Sequence, residues 1–445
     1  MHDYERPKLN QILKATMHLA NEIWYAKKNG ASTEFVVVKS AAMIVDFTGK
    51  IIFVGSRSDV PESTKNADLQ IIDHGDSYIV PGFVDAHLHC PQLDVIGSGG
   101  LPLLEWLDRY VFPAEMAFVN QSVAKRGAQR LSRELRRHGV TTAAVFSSVH
   151  SVAVDELFQE FENSGLRLIA GKTSMDAGAP DELLQCVDSD VEEQGKLIAK
   201  WHGKNDRLFY AITPRFALSC SPKMLRQLGE LKSRAPSCFV QTHISENLQE
   251  VSDVKSNWSK YKDYLAVYED HGLLDRRTLL AHGIHLTESE LSRIAKSGAT
   301  VVHCPTSNTF LGSGLFDLRR SEAAGVRVCL ASDIGAGTSL SPWQTMLESY
   351  KVQALQGAFY SAGELLYRAT LAGAEALGMD QNFGSLEVGK SADFVVINSN
   401  RNLLLSERLM VANTPEERLF AFMTYGDDRV VEATYAFGRE VYRNH

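Results

Sequence analysis

The chain has 445 residues, 44% hydrophobic and 22% charged, the composition of an ordinary globular protein. Its net charge of −8 comes from 54 acidic and 46 basic residues scattered without runs, so no basic stripe exists to hold a phosphate backbone and nucleic acid is not expected as a partner. No stretch approaches the ~20 apolar residues of a membrane span, and the polar residues 1–10 carry no secretion signal, so no membrane partner and a cytoplasmic location are expected.

In chain order, the first 80 residues read as β-rich: apolar runs at 35–39, 42–46 and 50–54 predict short strands, with Thr48-Gly49 as a hairpin turn. No pattern assigns a role to residues 1–30. From Pro81 onward strands alternate with helices. Strands are predicted at 82–87, 141–146, 167–171, 208–213, 238–243, 278–282, 300–303 and 326–333, and a helix at 121–138 is capped by Asn120 and closed by Gly139. Eight such strands predict an α/β fold, a closed TIM-type (β/α)8 barrel, which alone uses ~250 residues. A strand at 392–397 and a hairpin over 430–441, turned at Gly438-Arg439, restore β character at the end. The expected organisation is a barrel over 81–383 and a small β-sandwich domain built from both termini, 1–80 plus 384–445.

The reactive side chains fall at the ends of predicted strands. His87 and His89 end the first, Arg215 lies just past the fourth, His243 ends the fifth, His282 the sixth and Asp333 the eighth. Barrels of this kind carry their active sites at the carboxyl ends of the strands. His87-Leu-His89 sets two imidazoles on one side of an extended strand, where they can share a cation. His243 and Asp333 complete a mixed nitrogen and oxygen set suited to one zinc ion per chain, or to iron, with a position left for water. A metal of this type lowers the pKa of its water from ~15.7 towards ~7. A lone His-x-His is a weak signal; its force here comes from the order of the other three residues. His2, His18, His74, His138, His202, His271, His285 and His445 read as surface or satisfied polar residues, and His150 and His303 lie near strand ends without an assigned role. The six widely spaced cysteines read as free thiols. Residues 384–391 match the Walker A spacing but lead into a strand rather than from a strand into a helix, so nucleotide binding is not expected there.

The segments Pro-Gly-Phe-Val-Asp-Ala-His-Leu-His (81–89), Gln-Thr-His-Ile-Ser-Glu (241–246), Leu-Leu-Ala-His-Gly (279–283), His-Cys-Pro-Thr-Ser-Asn (303–308), Ser-Asp-Ile-Gly-Ala-Gly (332–337) and Gly-Lys-Ser-Ala-Asp-Phe (389–394) resemble, in order, the motifs of the amidohydrolase superfamily. Gln92, Leu-Pro-Leu-Leu-Glu-Trp-Leu (101–107), Phe-Pro-Ala-Glu (112–115), Thr-Pro-Arg-Phe-Ala-Leu-Ser-Cys (213–220) and Tyr-Gly-Asp-Asp-Arg (425–429) are similar to the branch that hydrolyses guanine. Thr306 stands where that branch usually has Asn, and Ser332 where it has Thr.

The resemblance implies that a metal-activated water attacks C2 of guanine, giving xanthine and ammonia. It implies that Asp333, besides binding the metal, takes the water's proton, that Glu246 protonates N3 and then the departing amine, and that His282 steadies the attacking oxygen. Arg215 and Gln92 would meet the carbonyl edge of the base, Phe216 and Trp106 its flat faces, and Glu246 its N3. Adenine, whose edge has the opposite polarity, would be rejected. A homodimer is also suggested. Another amino-heterocycle (a pterin, a triazine or a different purine) would share the metal ligands and differ around Gln92, Arg215 and Phe216. A catalytically silent barrel would be expected to lack some ligands, and this chain keeps all of them. The other zinc deaminase type, with His-x-Glu and Pro-Cys-x-x-Cys, is not represented.

Overall fold

The computed structural model describes residues 15–30, 32–64 and 69–444. The expectation about residues 1–10, and those for His2 and His445, fall outside this range. Five strands precede the barrel: β1 (Thr16–Asn29), β2 (Ser32–Val45), β3 (Ile51–Ser56), β4 (Gln70–Asp73) and β5 (Tyr78–Pro81). The barrel strands are β6 (Phe83–His89), β7 (Val140–Phe146), β8 (Arg167–Gly171), the short β9 (Thr173–Ser174), β10 (Leu208–Pro214), β11 (Phe239–Ile244), β12 (Thr278–His282), β13 (Thr300–His303) and β14 (Arg327–Leu330). The chain ends in β15 (Phe394–Ile397), β16 (Val431–Ala436) and β17 (Arg439–Arg443).

Parallel pairing runs β14-β13-β12-β11-β10-β8-β7-β6, with β9 beside β10. β6 and β7 are buried at every position, as parallel strands covered on both faces must be. The helix Gln121–Arg137 crosses between them; the Asn120 side chain accepts from Ser122 N at 2.9 Å, and Gly139 follows in the left-handed region at φ 79°. The barrel closes between β6 and the segment after β14. Asp333 N donates to His87 O at 2.9 Å, His89 N to Ile334 O at 2.6 Å, and Ser332 donates through N (3.0 Å) and Oγ (2.5 Å) to the Asp85 carboxylate. The two departures from the usual motif meet at this seam, where Thr306 Oγ1 donates to Ser332 O at 3.3 Å.

The second sheet has eight strands in the order β17-β16-β15-β5-β1-β2-β3, with β4 beside β1, so both ends of the chain build it. Strand β1 fills the stretch for which the sequence suggested no role. Its core residues, such as Ala20, Ile23, Trp24 and Ala26, lie on both faces, which erases the period-two signal. The strands predicted at 35–39 and 42–46 are one strand with a break: Ala41 pairs with Ala20 and Lys39 with Glu22, and Ser40 between them sits at φ 45°. Two helices, Leu403–Met410 and Pro415–Tyr425, lie between β15 and β16 and were not anticipated. Among the described residues no helix is long and apolar enough to cross a membrane, and all six cysteines are free.

The two sheets are joined at the foot of β6. Val80 pairs with Val395, and Gly82 N donates to Asp393 O at 2.8 Å. Arg167 Nη1 lies 3.0 Å from Asp393 Oδ2, both side chains 2% exposed, and the guanidinium carbon lies 3.8 Å from the Phe383 ring centre and 4.7 Å from that of Phe437. Asp393 Oδ1 accepts from Phe437 N at 2.7 Å. Asp393→Ala would leave a buried guanidinium unpaired, at an expected cost of about 3–5 kcal/mol. The check is a fall in the urea midpoint of the purified variant; a midpoint unchanged from the parent would show that the pair adds no stability.

Candidate active site

Five side chains from the carboxyl ends of the strands meet at one point. His87 Nε2 lies 3.1 Å and His89 Nε2 3.4 Å from Asp333 Oδ1, and the Nε2 atoms of His89 and His243 are 3.2 Å apart. His87, His243, His282 and Asp333 each offer a ligand atom within 4.8 Å of the others. Of the expected set, His87, His243 and Asp333 belong to this mutually close group with His282, while His89 adjoins it through Asp333 and His243. His282 and Asp333 are non-glycine residues in the left-handed region, at φ 71° and φ 50°. Such backbone costs about 1–3 kcal/mol per residue and concentrates at functional sites. Here it turns both side chains at the ends of their strands.

The donor atoms suit a divalent cation. His243 Nδ1–H donates to Arg215 O at 2.7 Å, so its Nε2 carries the lone pair that faces His89 Nε2. The buried Nε2 atoms of His87 and His282 make no hydrogen bond, which leaves both open to a cation. Burial lowers the His87 and His243 imidazoles and brings His89 to about 4, so all three are neutral near pH 7. Burial opposes the charge on Asp333, but its contacts with His87 and His89 outweigh that and hold the carboxyl well below the usual range. Neutral imidazoles around an anionic carboxylate form the ligand state that zinc or iron requires.

A cleft of about 420 Å³, counted out to its mouth, opens onto this cluster. Gln92, Trp106, Arg215, Phe216 and Glu246, the remaining residues singled out by sequence, all line it. Its apolar wall comes from Leu103, Trp106, Leu107 and Phe216, which pack in one buried cluster. The Trp106 indole N–H donates to Ser98 O at 2.6 Å, which holds the ring in place. Neither His150 nor His303 is among the lining residues; the His303 ring stacks on Phe316 at 4.7 Å.

Glu246 Oε2 lies 3.4 Å from His282 Nε2, and Oε1 accepts from Ser313 Oγ at 3.4 Å. Burial, reinforced by the nearby Asp333 and Glu250 carboxylates, pushes Glu246 well above the usual range and so favours its protonated form. The helix that follows is capped not by Glu246 but by Glu250. That side chain accepts from Glu246 N (2.8 Å) and Asn247 N (3.1 Å) and completes the capping box of the helix Leu248–Asn257. His282 Nδ1–H donates to Asn308 Oδ1 at 2.9 Å, which turns its Nε2 lone pair toward Glu246 and Asp333.

Arg215 is neither free nor at the surface. Its Nη1 donates to both oxygens of Glu115, at 2.7 and 2.6 Å, and Gln92 Nε2 donates to Glu115 Oε1 at 3.0 Å. Gln92 Oε1 accepts from Gly335 N at 3.3 Å. A Cβ on Gly335 would meet the Gln92 carbonyl oxygen at 2.4 Å, which is why the turn after Asp333 needs a glycine there. Sequence reading gave no role to Glu115, Glu250 or Asn308. For Glu115 the available signal was a lone carboxylate among the apolar residues of Phe112–Met116.

The chain belongs to the amidohydrolase family, whose sequence pattern matches residues 78–441. Within that class it is similar to the guanine deaminase of Escherichia coli (strain K12), 42% identical over 377 residues that span 85% of this chain and 86% of the other. The solved structure of E. coli guanine deaminase superposes with a TM-score of 0.91 at 37% identity, over 97% of this chain and all 100% of that one. The guanine deaminase of C. acetobutylicum, solved with guanine bound in the active site, superposes with a TM-score of 0.89 at 33% identity, over 96% and 100% of the two chains.

Proposed function

We propose that this chain hydrolyses guanine to xanthine and ammonia. One observation carries the reading: a buried carboxyl, Glu246, and a fixed amide–guanidinium pair, Gln92 and Arg215, line the same cleft as the His/Asp cluster. The similar guanine deaminases, one of them solved with guanine, add to it.

His87, His89, His243 and Asp333 would hold one zinc ion, with iron as the alternative the same ligands would accept. When bound, the cation supplies the Lewis acidity that lets a water give up a proton near neutral pH. Asp333 divides its oxygens: Oδ1 faces His87 and His89, and Oδ2 lies 3.8 Å from His282 Nε2, turned toward the reacting water. Asp333 takes the proton of the water that adds to C2. Glu246 gives its proton to N3, which makes C2 more electrophilic, and His282 orients the attacking oxygen. The C2–O bond forms, and the C2–N2 bond then breaks with its electron pair leaving on nitrogen. Glu246, left as a carboxylate, takes the proton of the new C2 hydroxyl and passes it to the leaving nitrogen, and Asp333 then returns its proton to Glu246, so that ammonia departs, xanthine remains and both side chains regain their starting states. Arg215 and Gln92 meet the O6 and N1–H edge, while Phe216 and Trp106 flank the ring.

The reading includes a barrel over 81–383, a second domain from 1–80 plus 384–445, a homodimer and a cytoplasmic location. Exposed Leu403, Leu404 and Met410 on one helix, with Val411 capping it, support the dimer, and six free cysteines support a reducing compartment. The test is ammonia release from guanine by metal-loaded protein, with metal-stripped protein as control. Guanine is expected to exceed adenine by at least about 10²-fold in kcat/KM, because a site built for a carbonyl and a ring N–H leaves buried groups unpaired against adenine. Equal rates on both bases would defeat the pocket assignment, and faster release from a pterin or triazine would favour the other amino-heterocycles.

A further inference from the structure

Glu115 is buried at 1% exposure, with Arg215 at 3% and Gln92 at 2% beside it. It sits on the short helix Phe112–Met116, about 100 residues before Arg215 in the chain, and touches neither the His/Asp cluster nor Glu246 by any hydrogen bond. Its two oxygens take Arg215 through Nη1 alone, which leaves Nε and Nη2 for a ligand. Its Oε1 also takes the Gln92 N–H, and Gly335 N holds the other end of that amide. The amide therefore cannot flip, and its donor and acceptor ends are assigned before any base arrives. The guanidinium carries a permanent positive charge. Buried without a counter-charge, it would draw any anion of the right shape into the cleft.

We propose that Glu115 is a positioning residue that fixes Arg215 and Gln92 and cancels the guanidinium charge, so that the cleft takes an uncharged purine and releases an anionic one. This rests on the guanine reading, and the chemistry of that reaction makes the charge matter. Guanine is neutral near physiological pH, whereas xanthine is a weaker base and a stronger acid whose monoanion forms just above neutrality. An uncompensated Arg215 would thus hold the product more tightly than the substrate and slow each turnover. With Glu115 bonded to it, the pair is neutral as a unit and still presents directed N–H groups to O6. A buried carboxylate whose hydrogen-bond partners, among the described residues, are two cleft-lining side chains fits this task better than a stabilising one, since ion pairs at such depth add little stability over apolar packing.

The experiment measures the binding of xanthine and hypoxanthine to metal-loaded protein by calorimetry at mildly alkaline pH. There xanthine is mostly the monoanion and hypoxanthine mostly neutral, and both carry O6 and the N1–H. The ratio of the two dissociation constants isolates charge from contacts. Glu115→Gln keeps the volume and one acceptor, and is expected to shift the ratio about ten-fold toward xanthine, with guanine KM rising and kcat falling less. Arg215→Gln leaves the carboxylate uncompensated and is expected to shift the ratio about ten-fold the other way. Glu115→Asp keeps the charge and should hold the ratio near that of the parent. A ratio that stays within about three-fold of the parent in either glutamine variant, or an equal weakening of both purines in Glu115→Gln, overturns the proposal and leaves Glu115 a structural residue. Should Glu115→Gln fail to fold, Arg215→Gln decides alone. Absence of ammonia from guanine in the parent protein would sink the guanine reading instead, and the calorimetric ratio does not depend on it.

Discussion

Asp333→Asn is expected to leave a folded protein whose kcat on guanine falls by at least about 10³-fold, the scale of losing a positioned general base. Asn is the replacement that isolates the chemistry. It matches Asp in shape, and it tolerates the left-handed backbone that Asp333 adopts at φ 50°. The seam bond from residue 333 N to His87 O, 2.9 Å, is made by the backbone and survives the change. What disappears is the negative charge among three neutral imidazoles and the basic oxygen on the His282 side. Circular dichroism and the thermal transition should match the parent while ammonia release collapses. Retention of more than a tenth of the parental kcat would remove Asp333 from the chemistry.

Glu246→Gln is expected to lower kcat by about 10²–10⁴-fold while KM changes little. Burial beside Asp333 and Glu250 favours the protonated form of Glu246, and glutamine mimics that neutral carboxyl at the same size. The surroundings feel almost no change in charge, and the Ser313 hydroxyl retains an oxygen to bond. Only the transferable proton is lost. A large rise in KM with kcat unchanged would instead make Glu246 a binding group, and steady-state kinetics separates the two outcomes.

The strand-end histidines and Asp333 were legible because a (β/α)8 barrel turns sequence order into angular order, so residues at successive strand ends converge without further information. Gln92, Trp106, Arg215 and Phe216 were legible only through their surrounding motifs, since nothing in local periodicity distinguishes a cleft-lining arginine from a solvated one. The Glu115 contact to Arg215 and the Asn308 contact to His282 join distant or separate elements through one or two side-chain hydrogen bonds, which no spacing rule encodes. Strand β1 was obscured by burial on both faces, and the helices Leu403–Met410 and Pro415–Tyr425 by their short length. Asp333 also illustrates a boundary effect. The regular strand stops at Leu330, and the last step to the site is made by the seam with β6 rather than by a ladder.

Because β5 finds its neighbour in β15, the polypeptide's opening segment stays half-finished until almost the whole molecule has left the ribosome. The first two imidazoles hang directly from that unfinished edge. A nascent chain stalled before residue 394 would therefore present β5 with one edge open to mispairing, its other edge lying on β1. Synthesis from one end and assembly from both make the tail, far from any chemistry, the piece that lets the catalytic end settle.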